Sequence, residues 1–512
     1  MRLILSPIVS EVLTDADLLI VGGGINGVGI ARDAAGRGLR VILCEQGDLG
    51  CATSSASSKL VHGGLRYLEQ LEFRLVAEAL AEREVLLRAA PHLVHPMRFV
   101  MPHAQGLRPG WVIRSGLFLY DWLARRQTLS RSSSVDLTLA PFSSGLQSHY
   151  VRGYAYSDCW VDDARLVIAN ARAARDAGAS VRPRTRCVAV TRLASHWRVR
   201  MRDAKGEVEV TARALVNAGG PWVEHFLEQV VGESSRDHLK LVQGSHIVVP
   251  RLYEGEHAYI LQNDDRRVIF VYPYEREFTL IGTTDVPAHG DPLACNASAA
   301  EIEYLCRAAN RYFSRPIQPG DVKWSYCGVR ALLDDGARDP SKVTRDYLLR
   351  LDAGTDRAPL LSIFGGKITT YRRLAERALQ KLSSAMTGVG APWTIAKGLP
   401  GSDIPDMDLD AYARTHAAAR PNLPMDFLRA LVNRHGSCTA EVLGDASTVA
   451  DLGHHFGSQL YAREVDYMLS HEWAADADDV MWRRTKAGLH LSASERAALV
   501  QYVAARAEGC VT

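Results

Sequence analysis

Six residues near the start of the chain have the types and spacing of a phosphate-binding turn. Gly22-Gly23-Gly24-Ile25-Asn26-Gly27 fits the pattern G-x-G-x-x-G, in which glycines let the backbone approach a pyrophosphate closely. Glu45 follows at a distance where an acidic side chain accepts hydrogen bonds from ribose hydroxyls. The pattern does not distinguish FAD from NAD. The dinucleotide-binding residues that it predicts are Gly22, Gly24, Ile25, Asn26, Gly27 and Glu45.

The segments on either side of this turn have the hydrophobic patterns of strands and a helix. Asp17–Val21 is predicted to be a buried strand, Ile25–Gly36 an alanine-rich helix, and Val41–Glu45 a second strand. In such a βαβ unit, the amide groups at the helix N-terminus point at the pyrophosphate. Because the strand, the helix, the spacing and the acid agree, a glycine turn that serves packing alone is the weaker interpretation.

Length and composition limit the class of protein. The 512 residues exceed what one hydrophobic core supports, so two or three domains are expected. A formal net charge of +2 argues against a broad nucleic-acid-binding face. The nine cysteines contain no CxxC pair, so neither a disulfide framework nor a metal site is predicted, and a reducing compartment is favoured.

The first residues and the hydropathy pattern bear on membrane insertion and export. No stretch approaches the roughly 18 apolar residues that span a bilayer. Met1–Thr14 is interrupted by Pro7 and Glu11 before a secretory core develops. We interpret these residues as part of a short N-terminal extension, with a cleaved signal as the alternative.

The later parts of the chain change in character. Between about 239 and 328, strand-like runs alternate with charged turns, as in an antiparallel sheet. Leu399–Asp408 is a linker rich in Pro, Gly and Asp, and the residues after it show helical spacing. The predicted strands of the middle region include Ser245–Val249, Arg267–Tyr272 and Phe278–Gly282.

Several longer motifs are similar to those of one enzyme family. They are Thr53–Lys59 followed by Leu60–Glu69, Tyr156–Leu166, Gly244–Pro250, Ile281–Asp285, Gly365–Lys367 with Thr369–Arg372, and Met481–Lys486. Together they resemble the FAD-dependent (aerobic, respiratory) glycerol-3-phosphate dehydrogenases, from about Asp17 through the helical C-terminal part. Two positions depart from the family pattern: Ala331 stands where proline is usual, and Cys327 stands where a small polar residue is common.

The resemblance implies an α/β (α+β) fold similar to that of D-amino-acid oxidase. A Rossmann-type FAD-binding domain would carry an antiparallel-sheet substrate domain, and an all-α C-terminal domain would follow. The predicted regions are the extension (1–16), the FAD-dependent oxidoreductase region (17–398) and the helical domain (399–512). Within the second region, the FAD domain is expected to be discontinuous, at about 17–95, 150–238 and 325–390, with the substrate domain mainly at 239–324.

The resemblance also implies a cofactor and a reaction. FAD would oxidise sn-glycerol 3-phosphate to dihydroxyacetone phosphate, with hydride transfer to the flavin and electron delivery to a membrane quinone. A glycerol-3-phosphate oxidase that uses O2 and produces H2O2 is the alternative, since the sequence separates the two poorly. A non-catalytic flavin scaffold and an NAD-dependent dehydrogenase are further alternatives. The additional cofactor-binding residues that the motifs imply are Thr53, Ser54, Ser58, Gly219, Gly366, Lys367, Ile368 and Thr369.

Two tasks of the protein in this reaction concern the substrate: binding its phosphate and accepting its hydroxyl proton. A phosphate calls for arginine, whose planar fork binds its oxygens in pairs, and Arg66 and Arg330 occupy the motif positions expected to line the pocket. The proton of the substrate hydroxyl needs a base, and His62 is our preferred residue because imidazole titrates near neutral pH. The alternatives are arginines in structural ion pairs and a histidine that is packed near the flavin.

The third task is to stabilise the reduced flavin. The loop Gly365-Gly366-Lys367 precedes a predicted helix, whose dipole and Lys367 would stabilise negative charge on the ring. A solvated loop lysine is the alternative. Tyr67 and Thr284 are predicted to bind substrate by orienting its hydroxyl group.

The segment Leu107–Leu123, followed by Arg125 and Arg126, mixes aromatic, aliphatic and arginine side chains. This pattern suits an amphipathic segment in a membrane interface. The alternative is a helix packed in the core or against a second subunit, because helical spacing alone does not separate these cases. The expected partners are sn-glycerol 3-phosphate, a quinone and the cytoplasmic face of the inner membrane, bound peripherally (monotopically). Nucleic acid is not expected, and a homodimer is left open.

Overall fold

The computed structural model describes residues 15–104, 108–125, 127–265, 267–334 and 346–509 of the chain. The side chains of Arg66, Gln70 and 507–509 lie outside the described part. The predicted extension (1–16) also lies outside it apart from Asp15 and Ala16, and Ala16 is the first residue of a strand.

The described residues form helices and strands that alternate along the chain. The helices are α1 (Ile25–Gly36), α2 (Phe73–Ala89), α3 (Gly110–Trp122), α4 (Asp163–Asp176), α5 (Val223–Phe226), α6 (Ala299–Asn310), α7 (Tyr371–Leu382), α8 (Leu409–Ala419), α9 (Met425–His435), α10 (Thr439–Leu443), α11 (Ala462–His471) and α12 (Ala493–Gly509). The strands are β1 (Ala16–Val21), β2 (Val41–Cys44), β3 (Leu60–Val61), β4 (Val94–His103), β5 (Ser133–Asp136), β6 (Arg152–Val161), β7 (Ser180–Arg182), β8 (Arg186–Arg192), β9 (Trp197–Asp203), β10 (Gly206–Asn217), β11 (Leu239–Pro250), β12 (Ala258–Gln262), β13 (Val268–Tyr274), β14 (Phe278–Gly282), β15 (Val286–Pro287), β16 (Trp324–Leu333), β17 (Leu348–Gly354), β18 (Arg357–Phe364), β19 (His455–Gly457) and β20 (Leu460–Tyr461).

The first sheet carries the glycine-rich turn. Strands β18, β10, β1, β2 and β7 run parallel in that order, β17 is an antiparallel edge strand, and β8 and β9 extend the sheet beside β10. Helices α1, α4 and α7 cover one face, where Leu18, Val28 and Leu374 are buried. Because parallel strands end at the same edge, the β1–α1 turn, Glu45 and Gly219 meet there.

The second sheet has ten strands, most of them antiparallel. Its order is β15, β11, β14, β13, β12, β4, β6 and β3, while β16 also pairs with β11 and β5 with β6. Helix α6 packs on one face, where Leu305 is buried, and α2 and α3 pack on the other, where Leu80 and Leu117 are buried. Strand β16 contacts β18 of the first sheet. A cavity lies between the two sheets.

The C-terminal residues form a helical unit from α8 to α12, to which β19 and β20 add a two-stranded hairpin. Its own cores contain Phe427 and Val465. The unit packs on α4 through a buried ion pair, in which Arg165 lies 2.5 Å from Glu472.

This architecture confirms the predicted fold class: a mainly parallel sheet with a glycine-rich turn, a mainly antiparallel second sheet, and a helical C-terminal domain. The domain bounds stay a prediction. Strands β4 and β6 belong to the second sheet although they precede residue 239, so the chain crosses between the two sheets several times.

The structure differs from one expectation about the cysteines. Cys295 and Cys327 are joined by a disulfide, with their Cα atoms 5.6 Å apart. The two cysteines are 32 residues apart and gave no sequence signal, because their pairing depends on where the segment before α6 lies relative to β16. Within the described ranges, the helices include none with both the length and the apolar character needed to cross a membrane.

Candidate active site

A cavity of about 1100 Å³ lies between the two sheets, and it gathers most of the residues predicted from the sequence. Its size exceeds that of an ordinary drug-sized pocket, so a dinucleotide together with a small substrate is a reasonable content. The predicted residues that line it are Gly22, Gly24, Ile25, Asn26, Glu45, Thr53, Ser54, Ser58, His62, Tyr67, Gly219, Arg330, Gly366, Lys367, Ile368 and Thr369.

The glycine-rich turn has the close backbone contacts that its pattern predicts. Gly22 has φ +114°, and a Cβ there would lie 2.4 Å from the carbonyl oxygen of Ala218. A Cβ on Gly27 would lie 1.9 Å from the carbonyl oxygen of Gly22. The missing side chain therefore lets α1 pack closely against the turn, although Gly27 is not among the cavity-lining residues. Gly24, Ile25 and Asn26 line the cavity, so the N-terminus of α1 faces it. Pyrophosphate binding by the amide groups there stays a prediction.

Glu45 lies beside this turn. Its carboxylate accepts hydrogen bonds from the backbone amides of Gly23 at 2.7 Å and Gly47 at 2.8 Å. Burial raises the pKa of Glu45, and the bonds from Gly47 and Gly23 act in the opposite direction. Each carboxylate oxygen has further acceptor capacity, which suits ribose hydroxyl groups.

The serine-rich segment Thr53–Ser58, which follows β2 in the chain, borders the same cavity. Ser54 Oγ accepts a hydrogen bond from the amide of Ile25 at 3.0 Å, and Thr53 Oγ1 donates to the carbonyl oxygen of Val329 at 2.6 Å. Ser58 Oγ lies 2.9 Å from His246 Nε2. The segment thus connects the dinucleotide turn to the second sheet.

The residues present fit FAD. Asn26 Oδ1 is buried at the cavity and has no hydrogen-bond partner within the described part of the chain, which is the state expected of an atom that contacts a ligand. Gly366 has φ +106°, and a Cβ there would lie 2.7 Å from Asn26 Nδ2. A cofactor can therefore approach the backbone of the 365–367 loop and Asn26 together.

His62 follows β3 and borders the cavity. Its amide donates to Thr369 Oγ1 at 3.3 Å, and its ring centroid lies 6.0 Å from that of Phe270. Burial lowers the pKa of His62 to about 4, and the positive charge of Lys367 acts in the same direction. The imidazole is therefore neutral near pH 7 and has an unprotonated nitrogen that can accept a proton.

Lys367 lies on the same side of the cavity. Its Nζ is 3.9 Å from the centroid of the Tyr67 ring, a cation–π contact. Residues 368–370 form a short 3-10 turn that leads into α7, so Lys367 precedes a helix N-terminus as predicted. Tyr67 lines the cavity and orients the lysine.

Arg330, on β16, also lines the cavity and is held by the segment after β14. Its guanidinium lies 2.5 Å from Asp285 Oδ1 and donates to Thr283 Oγ1 at 2.7 Å. A Cβ on Gly244 would lie 2.2 Å from Arg330 Nη2, so the glycine makes room for the guanidinium. The structure shows the ion pair, and Arg330 and Asp285 both line the cavity. The role of Arg330 in binding phosphate stays a prediction.

Of the remaining predicted substrate residues, one falls outside the described side chains and one is buried. The side chain of Arg66 lies outside the described residues. Thr284 is buried, where its Oγ1 accepts from the amide of Ser245 at 2.9 Å and donates to Glu301 Oε1 at 2.7 Å. Its carbonyl oxygen accepts from Arg330 at 3.3 Å. Thr284 thus supports Arg330, and its hydroxyl is already engaged.

Among the cavity residues that were not predicted as site residues is a buried histidine. His246 is buried, lines the cavity and stacks on Tyr326 with ring centroids 4.7 Å apart. Burial lowers the pKa of His246 well below its ordinary value, and Arg330 acts in the same direction. The available signal was its place in the Gly244–Pro250 motif, but a histidine in an apolar strand is also typical of a core.

Comparison with known proteins identifies the family to which the chain belongs. Residues 17–372 match the family model described as FAD dependent oxidoreductase. The chain belongs to this family. FAD, the cofactor that the family name states, is thus confirmed as predicted. Residues 394–508 match a second model, the C-terminal domain of alpha-glycerophosphate oxidase.

Individual relatives cover nearly the whole chain. A glycerol-3-phosphate dehydrogenase of Pseudomonas aeruginosa is 51% identical, over 95% of this chain and 94% of the relative. A D-erythritol 1-phosphate dehydrogenase of Brucella abortus is 48% identical, over 95% and 97%. The structure of the glycerol-3-phosphate dehydrogenase from Bacillus halodurans, complexed with FAD, has a TM-score of 0.77 and 26% identity and covers 97% of this chain and 91% of that chain. The predicted family resemblance is confirmed.

Proposed function

We propose that this chain oxidises sn-glycerol 3-phosphate to dihydroxyacetone phosphate with FAD and passes the electrons to a membrane quinone. The observation that carries the proposal is the common cavity, in which a neutral imidazole, a lysine and an arginine surround the space beside the dinucleotide turn. These are the groups that an alcohol oxidation on a phosphorylated substrate needs. The names of the relatives support the same reaction.

His62, Arg330 and Lys367 each have a separate task in the proposed reaction. When bound, FAD supplies the acceptor for the hydride that leaves the substrate carbon. His62 accepts the proton of the substrate hydroxyl at an unprotonated ring nitrogen. Arg330, fixed by Thr283 and Asp285, presents charged donors to the phosphate. Lys367 places positive charge where negative charge develops during the reaction.

The Brucella relative makes D-erythritol 1-phosphate a second candidate substrate. This compound also presents an alcohol and a phosphate, so the groups described above serve both compounds. An oxidase that passes the electrons to O2 is the alternative for the second half of the reaction.

An anaerobic experiment separates these possibilities. Addition of sn-glycerol 3-phosphate to the purified holoenzyme is expected to bleach the flavin absorbance, with a higher second-order rate constant than D-erythritol 1-phosphate. A soluble quinone should then restore the absorbance faster than air-saturated buffer, with little H2O2. Glycerol without phosphate is the control. Failure of both phosphates to bleach the flavin would refute the reaction, and faster reduction by D-erythritol 1-phosphate would replace the substrate.

Helix α3 presents an apolar surface suited to a membrane. Trp111, Phe118 and Trp122 are 73%, 63% and 61% exposed, whereas Ile113 and Leu117 are buried beneath them. The helix therefore packs on the second sheet with one face and exposes its aromatic face, which argues against the core alternative for these three side chains. We name Trp111, Phe118 and Trp122 the α3 surface and propose that it lies in the membrane interface.

Serine replacements of Trp111, Phe118 and Trp122 are expected to release the protein from membranes. Each large apolar side chain removed from water contributes on the order of 1.5–3 kcal/mol, so three of them outweigh screened surface charge. The triple variant should stay in the supernatant after vesicle sedimentation, still be reduced by substrate, and turn over poorly with a quinone held in the vesicles.

A matched control uses exposed apolar residues on other elements, Ile395, Val449 and Val500, at 60%, 41% and 50% exposure. Their replacement by serine should leave sedimentation unchanged. Equal release by both triple variants would mean that the α3 surface has no special role. Loss of dimerisation in the α3 variant, without a change in sedimentation, would instead assign the surface to a second subunit.

A further inference from the structure

The loop after β2 closes the nucleotide end of the cavity. Gln46, Gly47, Gly50 and Cys51 line the cavity. Gly47 donates its amide to Glu45, and Gly50 donates its amide to the carbonyl oxygen of Gly23 at 3.1 Å. The position of this loop therefore fixes both Glu45 and the backbone of the dinucleotide turn.

One side chain of the loop belongs to a different environment. Asp48 is 4% exposed and contacts the C-terminal domain. Arg484 donates to its two carboxylate oxygens at 2.7 and 2.8 Å, and Arg483 Nε donates to Oδ2 at 2.5 Å. Arg484 also donates to the carbonyl oxygen of Glu472, and its side chain is fully buried. A paired guanidinium–carboxylate contact of this kind fixes orientation as well as distance.

A second connection joins the same loop to the same domain. Arg184, in the turn between β7 and β8, donates its amide to the carbonyl oxygen of Gly47 at 2.8 Å. Its guanidinium lies 2.5 Å from Asp479 Oδ2, and Asp479 also pairs with Arg483. Two connections, one through Asp48 and one through Arg184, thus tie the loop after β2 to the segment Asp479–Arg484.

We propose that the C-terminal domain completes the nucleotide end of the FAD site, with Arg483 and Arg484 as positioning residues that act through Asp48. The inference rests on one part of the proposed function, the binding of FAD in this cavity, and not on the identity of the substrate. Docking of the domain holds Glu45 and the turn in the conformation that binds FAD. Because coupling between two equilibria is reciprocal, bound FAD also stabilises the docked domain.

Two conservative variants test the contact. Arg484→Lys keeps the charge and loses the paired geometry, and Asp48→Asn keeps the shape and loses the charge. Each is expected to raise the Kd for FAD at least tenfold, measured by fluorescence titration of the apoprotein. At saturating FAD, KM for sn-glycerol 3-phosphate should stay within twofold of wild type, since the substrate end of the cavity is untouched.

Arg172→Met is the matched control. Arg172 also joins α4 to the C-terminal domain, where it lies 3.1 Å from Glu441 and 5.4 Å from the Tyr467 ring centroid, and its side chain is 7% exposed. This variant should lower the melting temperature and leave the Kd for FAD within twofold. Equal losses of FAD affinity in Arg172→Met and Arg484→Lys, or unchanged affinity in Arg484→Lys and Asp48→Asn, would overturn the proposal.

The wild-type protein gives a test that does not depend on a variant's folding. Addition of FAD to the apoprotein should slow hydrogen exchange in 479–486 as well as in 45–51. Slowing confined to 45–51 would overturn the proposal. Wild-type protein that binds FAD but is not reduced by sn-glycerol 3-phosphate would refute the proposed function while leaving this inference intact, and wild-type protein that does not bind FAD would refute both.

Discussion

Replacement of His62 by asparagine is expected to lower the rate of flavin reduction by about 10²–10⁴-fold, the usual contribution of a positioned general base. Asparagine keeps a polar side chain of similar size and removes the basic nitrogen. The backbone amide of His62 donates a hydrogen bond to Thr369 Oγ1, so we expect the backbone to keep its position in the variant. The measurement is the single-turnover rate of flavin bleaching at saturating sn-glycerol 3-phosphate.

The pH dependence of the same rate gives a second readout. Burial and Lys367 lower the pKa of His62 to about 4, so the imidazole accepts a proton at any pH well above that value and loses this ability as pH falls through it. The rate in the wild-type protein should therefore have no inflection near the ordinary histidine pKa of about 6.5 and should decline only in more acidic solution. Saturating substrate is required because a phosphate monoester itself titrates near pH 6.

His246→Asn is the comparison variant, because His246 also lines the cavity and burial likewise lowers its pKa. The larger loss should belong to His62→Asn. A larger loss in His246→Asn, together with a shift of the acidic decline, would transfer the role of base to His246. An unchanged rate in both variants would require a base other than these two histidines.

Local patterns were sufficient for the elements that hold the cofactor. The bounds of α1 and β14 agree with the predicted Ile25–Gly36 and Phe278–Gly282, since the period of apolar residues and the flanking glycines act within each segment. The spacing of Gly22, Gly27 and Glu45 likewise predicted their meeting at one sheet edge. These arguments need no knowledge of distant partners.

Distant pairings were beyond these arguments. Strands β4 and β6 pair with each other and join the second sheet, although their local patterns are also compatible with the first. Arg484 meets Asp48 across 436 residues, and neither residue's neighbours indicate its partner. His246 was missed for a related reason: burial in a strand and exposure to a cavity produce the same apolar surroundings in the sequence.

Replacement of Arg330 by lysine is expected to lower kcat/KM for sn-glycerol 3-phosphate by roughly 2 kcal/mol or more, about 30-fold, because a charge-assisted contact to the phosphate is lost. Lysine keeps the positive charge, but a single ammonium group does not reproduce the planar fork that Thr283 and Asp285 orient. The loss should therefore be geometric in origin.

Glycerol separates a phosphate contact from general damage, because it has the reacting alcohol and lacks the phosphate. Its slow oxidation by the wild-type protein should change less than about twofold in Arg330→Lys, so the preference for the phosphorylated substrate falls by nearly the full factor. Arg350→Lys is the matched control: Arg350 forms a similar pair with Asp237 at 2.7 Å, on β17. That variant should have wild-type kinetics with both substrates. If Arg330→Lys slows glycerol and glycerol 3-phosphate equally, Arg330 acts through the structure of the cavity wall. The phosphate must then be bound by other groups, with Arg66 and Lys367 the next residues to replace.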